Sequence, residues 1–176
     1  MQNLLVVNVF GPQRTNTINE LVRHIADCQC NILDSRSSLL GDQLCASFML
    51  DGSWNALAKF EHAMPAVAAK LDLHVSFHRC TQRGSSENAI PYSVQIVAHD
   101  QAGLMKEITQ FFVDQDVVVH EMYSNVYGSP HTGSATLVFN LTIHVPQRVS
   151  IAVLRDSFTL LCDELNLDSV MEPIKF

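Results

Sequence analysis

The chain has 176 residues, 47% apolar and 16% charged, against a usual charged share of about 25%. That length is one large domain or two small ones, and the composition excludes a disordered, collagen-like or linker-dominated protein. Eleven Lys and Arg stand against 18 Asp and Glu, a net charge of −7, which argues against a duplex-binding surface built to neutralise phosphates. The charge is uneven. Residues 1–83 carry seven basic and seven acidic residues; residues 84–176 carry four and eleven, so the whole excess lies in the second half. That half is the side expected to meet a basic partner. The N-terminal segment has no basic region and too short an apolar run for a signal peptide, and no stretch approaches a membrane span. Five cysteines at irregular spacing suggest no disulfide framework, so a reducing, cytoplasmic setting is expected.

In chain order, Leu4 to Phe10 is an apolar run closed by Gly11-Pro12, a buried strand. Ile18, Leu21, Val22 and Ile25 follow at helical spacing. Cys30 to Leu40 and Leu44 to Leu50 flank Gly41-Asp42, the turn of a hairpin. Ser53 can cap a helix carrying Leu57, Phe60, Met64, Val67 and Leu71, and Pro65 inside it predicts a kink or a split. Trp54, at the start of that helix, is expected to anchor the core. Leu71 to Phe77 alternates as a strand.

A polar break, Arg83-Gly-Ser-Ser-Glu-Asn88, predicts a linker over 84–90 between domains at 1–83 and 91–176. The second half then repeats the order. Val94, Ile96 and Ala98 mark a strand; Leu104, Ile108, Phe111 and Phe112 a helix; Val117 to Tyr127 a strand; Gly128 to Gly133 a turn. Ala135 to Val145 alternates as a long strand, Ile151 to Leu165 is an amphipathic helix, and Val170 to Ile174 a last strand. A shift of 87 residues aligns Leu21 with Ile108, Ile25 with Phe112, Ile32 with Val119 and Asp34 with Glu121. The expected fold is α+β: two tandem ferredoxin-like βαββαβ units, antiparallel sheets with helices on one face.

Signatures of catalysis are missing: there is no Gly-x-Ser-x-Gly, no phosphate loop and no Gly-x-Gly-x-x-Gly. His24, Cys28 and Cys30 are the best-spaced metal candidates, yet no fourth ligand stands at zinc-like spacing, and both cysteines equally suit packing at a helix–strand junction. His74 and His78 alternate with Leu73, Val75 and Phe77, so they point away from the helices, about 13 Å apart. One loop differs in kind. Asp100-Gln101-Ala102-Gly103-Leu104 joins a strand to a helix, with Asp100 able to cap it and Gly103 leaving the backbone approachable. A helix amino end of this sort favours a carboxylate, such as that of an amino acid. An ordinary cap and tight turn explains the same five residues.

A strand, then Asp-x-x-Gly-Leu opening a helix, then strand, strand, helix and strand resembles an ACT domain, and two in tandem cover the chain. Cys28-Gln-Cys-Asn-Ile-Leu-Asp-Ser-Arg36, Leu39-Leu-Gly-Asp42, Phe48-Met-Leu50, Gly52-Ser-Trp-Asn55 and Leu161-Cys-Asp-Glu-Leu-Asn166 resemble the family of glycine cleavage system transcriptional repressors. The resemblance implies a regulator without catalysis or cofactor: a small amino acid, glycine above all, is sensed, and the glycine cleavage operon is repressed through contact with a LysR-type activator. Direct nucleic-acid or membrane binding is not expected, and a homo-oligomer is compatible. The competing readings are a small His/Cys metal-binding protein or enzyme, and an ACT scaffold with silent ligand sites.

The ACT pattern also has an Asn before Ile at the start of the second strand, facing a ligand across a domain pair. The first unit keeps it as Asn31-Ile32; the second has Val118-Val119. The first unit's loop, in turn, reads Gln13-Arg14-Thr15-Asn16, without the acid or the glycine. Asn tolerates left-handed backbone, so that turn is expected to survive. The resulting expectation is one working site drawing on Asp100, Gln101, Ala102, Gly103, Leu104, Asn31 and Ile32, and a degenerate one drawing on Gln13, Arg14, Thr15, Asn16 and Val118.

Overall fold

A computed structural model describes residues 3–81, 89–128 and 135–174. The chain divides into two compact units, residues 1–84 and 85–176.

The first unit runs β1 (Leu4–Pro12), α1 (Thr17–Asp27), β2 (Asn31–Leu40), β3 (Gln43–Asp51), α2 (Trp54–Leu71) and β4 (His74–Cys80). Its sheet is antiparallel throughout, in the order β2-β3-β1-β4. Period-two alternation places Leu5, Val7 and Val9 of β1 opposite Leu50, Phe48 and Ala46 of β3 on one face. That face is closed by Leu21 and Ile25 of α1 and by Leu57, Phe60, Met64 and Ala68 of α2, all buried. Each of the larger side chains among them contributes about 1.5–3 kcal/mol on burial, as an upper estimate, and the two alanines less. The opposite face carries Val6, Asn8 and Phe10 of β1 across from Met49, Ser47 and Cys45 of β3, and Ser47 Oγ donates to Asn8 Oδ1 at 2.8 Å across the strands.

The second unit runs β5 (Ala89–His99), α3 (Leu104–Asp114), β6 (Val118–Gly128), β7 (Ala135–Pro146), α4 (Ile151–Leu165) and β8 (Asp168–Pro173), with sheet order β6-β7-β5-β8. Val94 and Ile96 of β5, Phe139 and Leu141 of β7, Ile108 and Phe112 of α3, and Leu154 and Phe158 of α4 form its core. Phe112 and Phe158 hold ring centroids 5.4 Å apart, and Phe111 joins both.

The repeat extends to the backbone. A β-bulge interrupts β2 between Ile32 and Asp34 and β6 between Val119 and Glu121, the same places under the 87-residue shift. Left-handed residues follow the first helix of each unit, at Gln29 and Asp116, and the second, at Asp72 and Asn166. Such residues end helices by letting the next N–H groups turn back onto the last carbonyls, as Cys30 N does to Ile25 O and Val117 N to Phe112 O.

Four expectations are corrected. Trp54 is 65% exposed rather than a core anchor: as the first residue of α2 it precedes the buried stripe that starts at Ala56 and Leu57. Pro65 splits nothing, because Phe60, Met64 and Ala68 pack on the same core either side of it and α2 runs unbroken. Leu71 belongs to α2, not to the strand; Asp72 caps the helix and β4 begins at His74. Ala89 and Ile90, assigned to the linker, are the first residues of β5, paired with Pro146 and Val145. The rest of the linker reading, and the turn after Gly128, lie outside the described residues.

Candidate functional site

Both loops that lead from a unit's first strand into its first helix form a tight turn, by different means. In the second unit Leu104 N donates to Gln101 O at 3.4 Å, and Gly103 sits at φ +93° as the residue before the helix. In the first, Thr17 N donates to Arg14 O at 3.0 Å while Asn16, in the equivalent place, sits at φ −101° and ψ 0°. The turn therefore survives without a left-handed residue, contrary to the reason given for it. Thr17 makes this work. Its side chain is fully buried, and its Oγ1 accepts the Arg14 N–H at 3.2 Å, tying the loop to the first turn of α1. Gln13 N donates to Asp42 O at 3.1 Å, so the loop also rests on the β2–β3 turn. Sequence reasoning missed Thr17; a hydroxyl at the first helical position of a polar loop was the available signal.

Asp100 does not cap α3. It lies three residues before Gly103, the true cap position, and its backbone N–H donates to Ala135 O at 2.9 Å, anchoring the end of β5 to β7. Gly103 has no side chain to offer, so no side chain caps the first-turn N–H groups of α3. Asp100, Gln101, Ala102 and Gly103 are all exposed, and Leu104 is buried beneath them. A Cβ at Gly103 would meet nothing within 4 Å. The result is an accessible helix amino end with free donors, which suits a carboxylate.

Asn31 and Val118 occupy corresponding places as the first residues of β2 and β6. Asn31 is exposed opposite Asp51; Val118 is half exposed opposite His144. Ile32 and Val119 turn inward against their cores. Within the first unit Asn31 and the Gln13–Asn16 loop stand at opposite ends of the sheet. Asn31 shares its row with Asp51 and Leu4, whereas the loop follows Pro12, eight strand residues and about 27 Å away. The same holds for Val118 and the Asp100–Leu104 loop in the second unit, since Val118 pairs with His144 and His99 with Thr136. No single unit brings its own loop to its own second-strand start.

The His and Cys candidates lie in two different settings. His24 lies against the Phe60 ring, centroids 5.4 Å apart, with Nε2 buried and lacking a hydrogen-bond partner. Burial pushes its pKa down, Lys59 adds to this, and Asp27 opposes it. Cys28 and Cys30 are buried at the junction after α1, and burial pushes both thiols up. Among the described residues no group of three or more His, Cys, Asp and Glu is placed to hold a metal. His74 and His78 are exposed, opposite Phe10 and Val6, on the face away from the helices.

Comparison with known proteins places this architecture. The ACT domain family matches residues 3–78. The glycine cleavage system transcriptional repressor of Escherichia coli K12 is 30% identical over 175 residues, spanning 99% of this chain and 92% of the relative, and that of Shigella flexneri gives the same figures. The chain belongs to the glycine cleavage system transcriptional repressor family. A crystal structure provisionally assigned to this repressor family superposes with a TM-score of 0.74 at 23% identity, covering 100% of this chain and 99% of the other. An unassigned protein from Galdieria sulphuraria superposes at 0.81 with 15% identity over 99% and 100% of the two chains. Both share the fold. In this repressor-family chain the loop with the glycine lies in the second unit, outside the stretch that the ACT family matches, while Asn31-Ile32 lies inside it. Among the described residues no helix is long and apolar enough to cross a membrane.

Proposed function

We propose that this chain is a cytoplasmic, non-catalytic regulator that senses a small amino acid, glycine first among candidates, and represses the glycine cleavage operon by contact with a LysR-type activator. The observation that carries this is end-to-end similarity to the repressors at 30% identity over 99% of the chain. Two ACT-like units account for the described residues, and a net charge of −7 leaves little for phosphate binding, which favours a route through another protein.

The ligand's carboxylate is assigned to the uncapped amino end of α3, approached over Gly103, with Asp100, Gln101, Ala102 and Leu104 forming the loop that presents it. In the first unit, taken by itself, Asn31 beside Ile32 is assigned as a polar group able to hydrogen-bond an amino acid. The Gln13, Arg14, Thr15 and Asn16 loop of the first unit and Val118 of the second are each assigned as degenerate positions, because Thr17 already occupies the Arg14 N–H and Val118 offers no polar group.

Titration calorimetry with a panel of amino acids tests the site. Asn31→Ala is expected to weaken binding by about 0.5–1.5 kcal/mol, or up to about 3 if the bond is to a charged group. Gly103→Val should abolish it by putting a branched side chain over the N–H groups. If Asn31→Ala and Val118→Asn leave binding equally unchanged, this assignment is wrong. A gel shift tests the route: no operator binding by the chain alone at physiological salt, and a ternary complex once the activator is present.

A further inference from the structure

At the end of the first unit's sheet, Asn31, Asp51 and Leu4 stand side by side in one row across β2, β3 and β1. Leu50 and Leu5, the next residues in from Asp51 and Leu4, face the helices, so period-two alternation turns Asp51 and Asn31 to the opposite face. Residues directly opposite on antiparallel strands hold their Cβ atoms about 4.5–5.5 Å apart, which puts the Asp51 carboxylate and the Asn31 amide in one small space. Asp51 is half-buried, and Leu4 beside it is 1% exposed. The carboxylate is also unmatched. In the first unit Glu20, Asp34 and Glu61 pair with Arg23, Arg36 and Arg79, and Asp42 accepts the Gln43 side-chain N–H. Among the described residues no side-chain hydrogen bond or ion pair engages Asp51 or Asn31. The fold does not require a carboxylate in this row, because the second unit has Val118 and His144 in the corresponding one.

We propose that Asp51 is a further ligand-binding residue, which together with Asn31 receives the ammonium group of the amino acid that this chain senses. The inference rests on the regulator reading and deepens it, since it names the end of the ligand that the first unit recognises. A partly desolvated carboxylate without a counter-ion is costly, and a bound cation offsets that cost. An ammonium is compact and carries three N–H donors. Acceptors on two side chains this close can both lie about 2.8 Å from one nitrogen, so the Asp51 carboxylate and Asn31 Oδ1 can each accept a charge-assisted hydrogen bond from it. The same carboxylate repels the acid end of an amino acid. The row therefore selects ammonium over carboxylate.

The test is titration calorimetry of the purified full-length chain with glycine and with glycolate, which keeps the carboxylate and has a hydroxyl in place of the ammonium. Asp51→Asn retains the shape of the side chain and removes its charge, so melting curves should stay close to wild type. It is expected to weaken glycine binding about tenfold or more, the loss of one hydrogen bond to a charged group. Glycolate should bind this variant and the wild type alike. Asp34→Asn removes the carboxylate of the next row, which faces Met49 and already engages Arg36, and should change neither ligand. If Asp51→Asn binds glycine as tightly as the wild type, the inference is refuted and the regulator reading stands. An equal loss of glycine and glycolate, or an equal loss from Asp34→Asn, refutes it as well. A wild-type chain that does not bind glycine refutes both the sensing of glycine and this inference.

Discussion

Gly103 and Asn16 hold the same place in the two units and take opposite backbone hands, φ +93° at Gly103 and −101° at Asn16. The difference lies in what closes each turn. The buried Thr17 hydroxyl accepts the Arg14 N–H in the first unit, whereas at the corresponding position the second unit has Leu104, which has no hydroxyl. Glycine can carry a left-handed turn unaided because it lacks a Cβ.

Gly103→Ala is therefore expected to destabilise the protein by about 1–2 kcal/mol through backbone strain alone, since nothing lies near the new Cβ. Asn16→Ala should stay within about 0.5 kcal/mol, because the Asn16 side chain makes no cap bond and its φ suits any residue. Chemical denaturation of the two variants separates these cases.

Ser53 Oγ accepts the Ala56 N–H at 3.1 Å and caps α2; Ser150, before α4, makes no such bond. Ser53→Ala should cost about 1 kcal/mol. Ser150→Ala should cost clearly less, and equal losses in thermal melts would contradict the assignment.

Gly11, next to last in β1, abuts the turn after α2. A Cβ there would lie 2.7 Å from the Asp72 carbonyl oxygen and 2.8 Å from Leu73 Cδ2. Backbone and a buried leucine cannot both retreat, so Gly11→Ala is expected to lose about 1–3 kcal/mol by overpacking. Ala98, the corresponding residue of the second unit, already carries a Cβ, and Ala98→Gly should cost less than Gly11→Ala.

His24 gives a pH signature. Burial lowers its pKa from the usual 6.5, so the unfolded chain binds this proton more readily than the folded one. Stability from the neutral ring is present above about pH 6.5 and is lost as pH falls through the lower folded value. Melting temperatures of wild type and His24→Gln, compared from pH 7.5 down to pH 5, should converge as the pH drops. Curves that stay parallel would show that His24 is equally protonated in both states.

What the sequence alone determined is everything governed by local periodicity. The alternation of Leu5, Val7 and Val9 specifies a strand with one buried face, and Leu21 with Ile25 a helix with one buried stripe. The 87-residue repeat specifies that the same six elements come twice. The motif Asp100-x-x-Gly103-Leu104 was legible for the same reason, since a turn and the helix that follows it are neighbours in the chain. Distance along the chain hid the rest. Asp100 looks like a cap in sequence, but its backbone is drawn to Ala135, 35 residues on, and the helix starts too late for it to reach. Trp54 looks like core by its size, but the stripe that α2 buries is set by where Phe60 and Met64 meet the sheet. Thr17 looks like surface by its hydroxyl, but it closes a loop from the inside. Only the tertiary structure decides such cases, because burial and backbone hand depend on which distant atoms arrive at the residue.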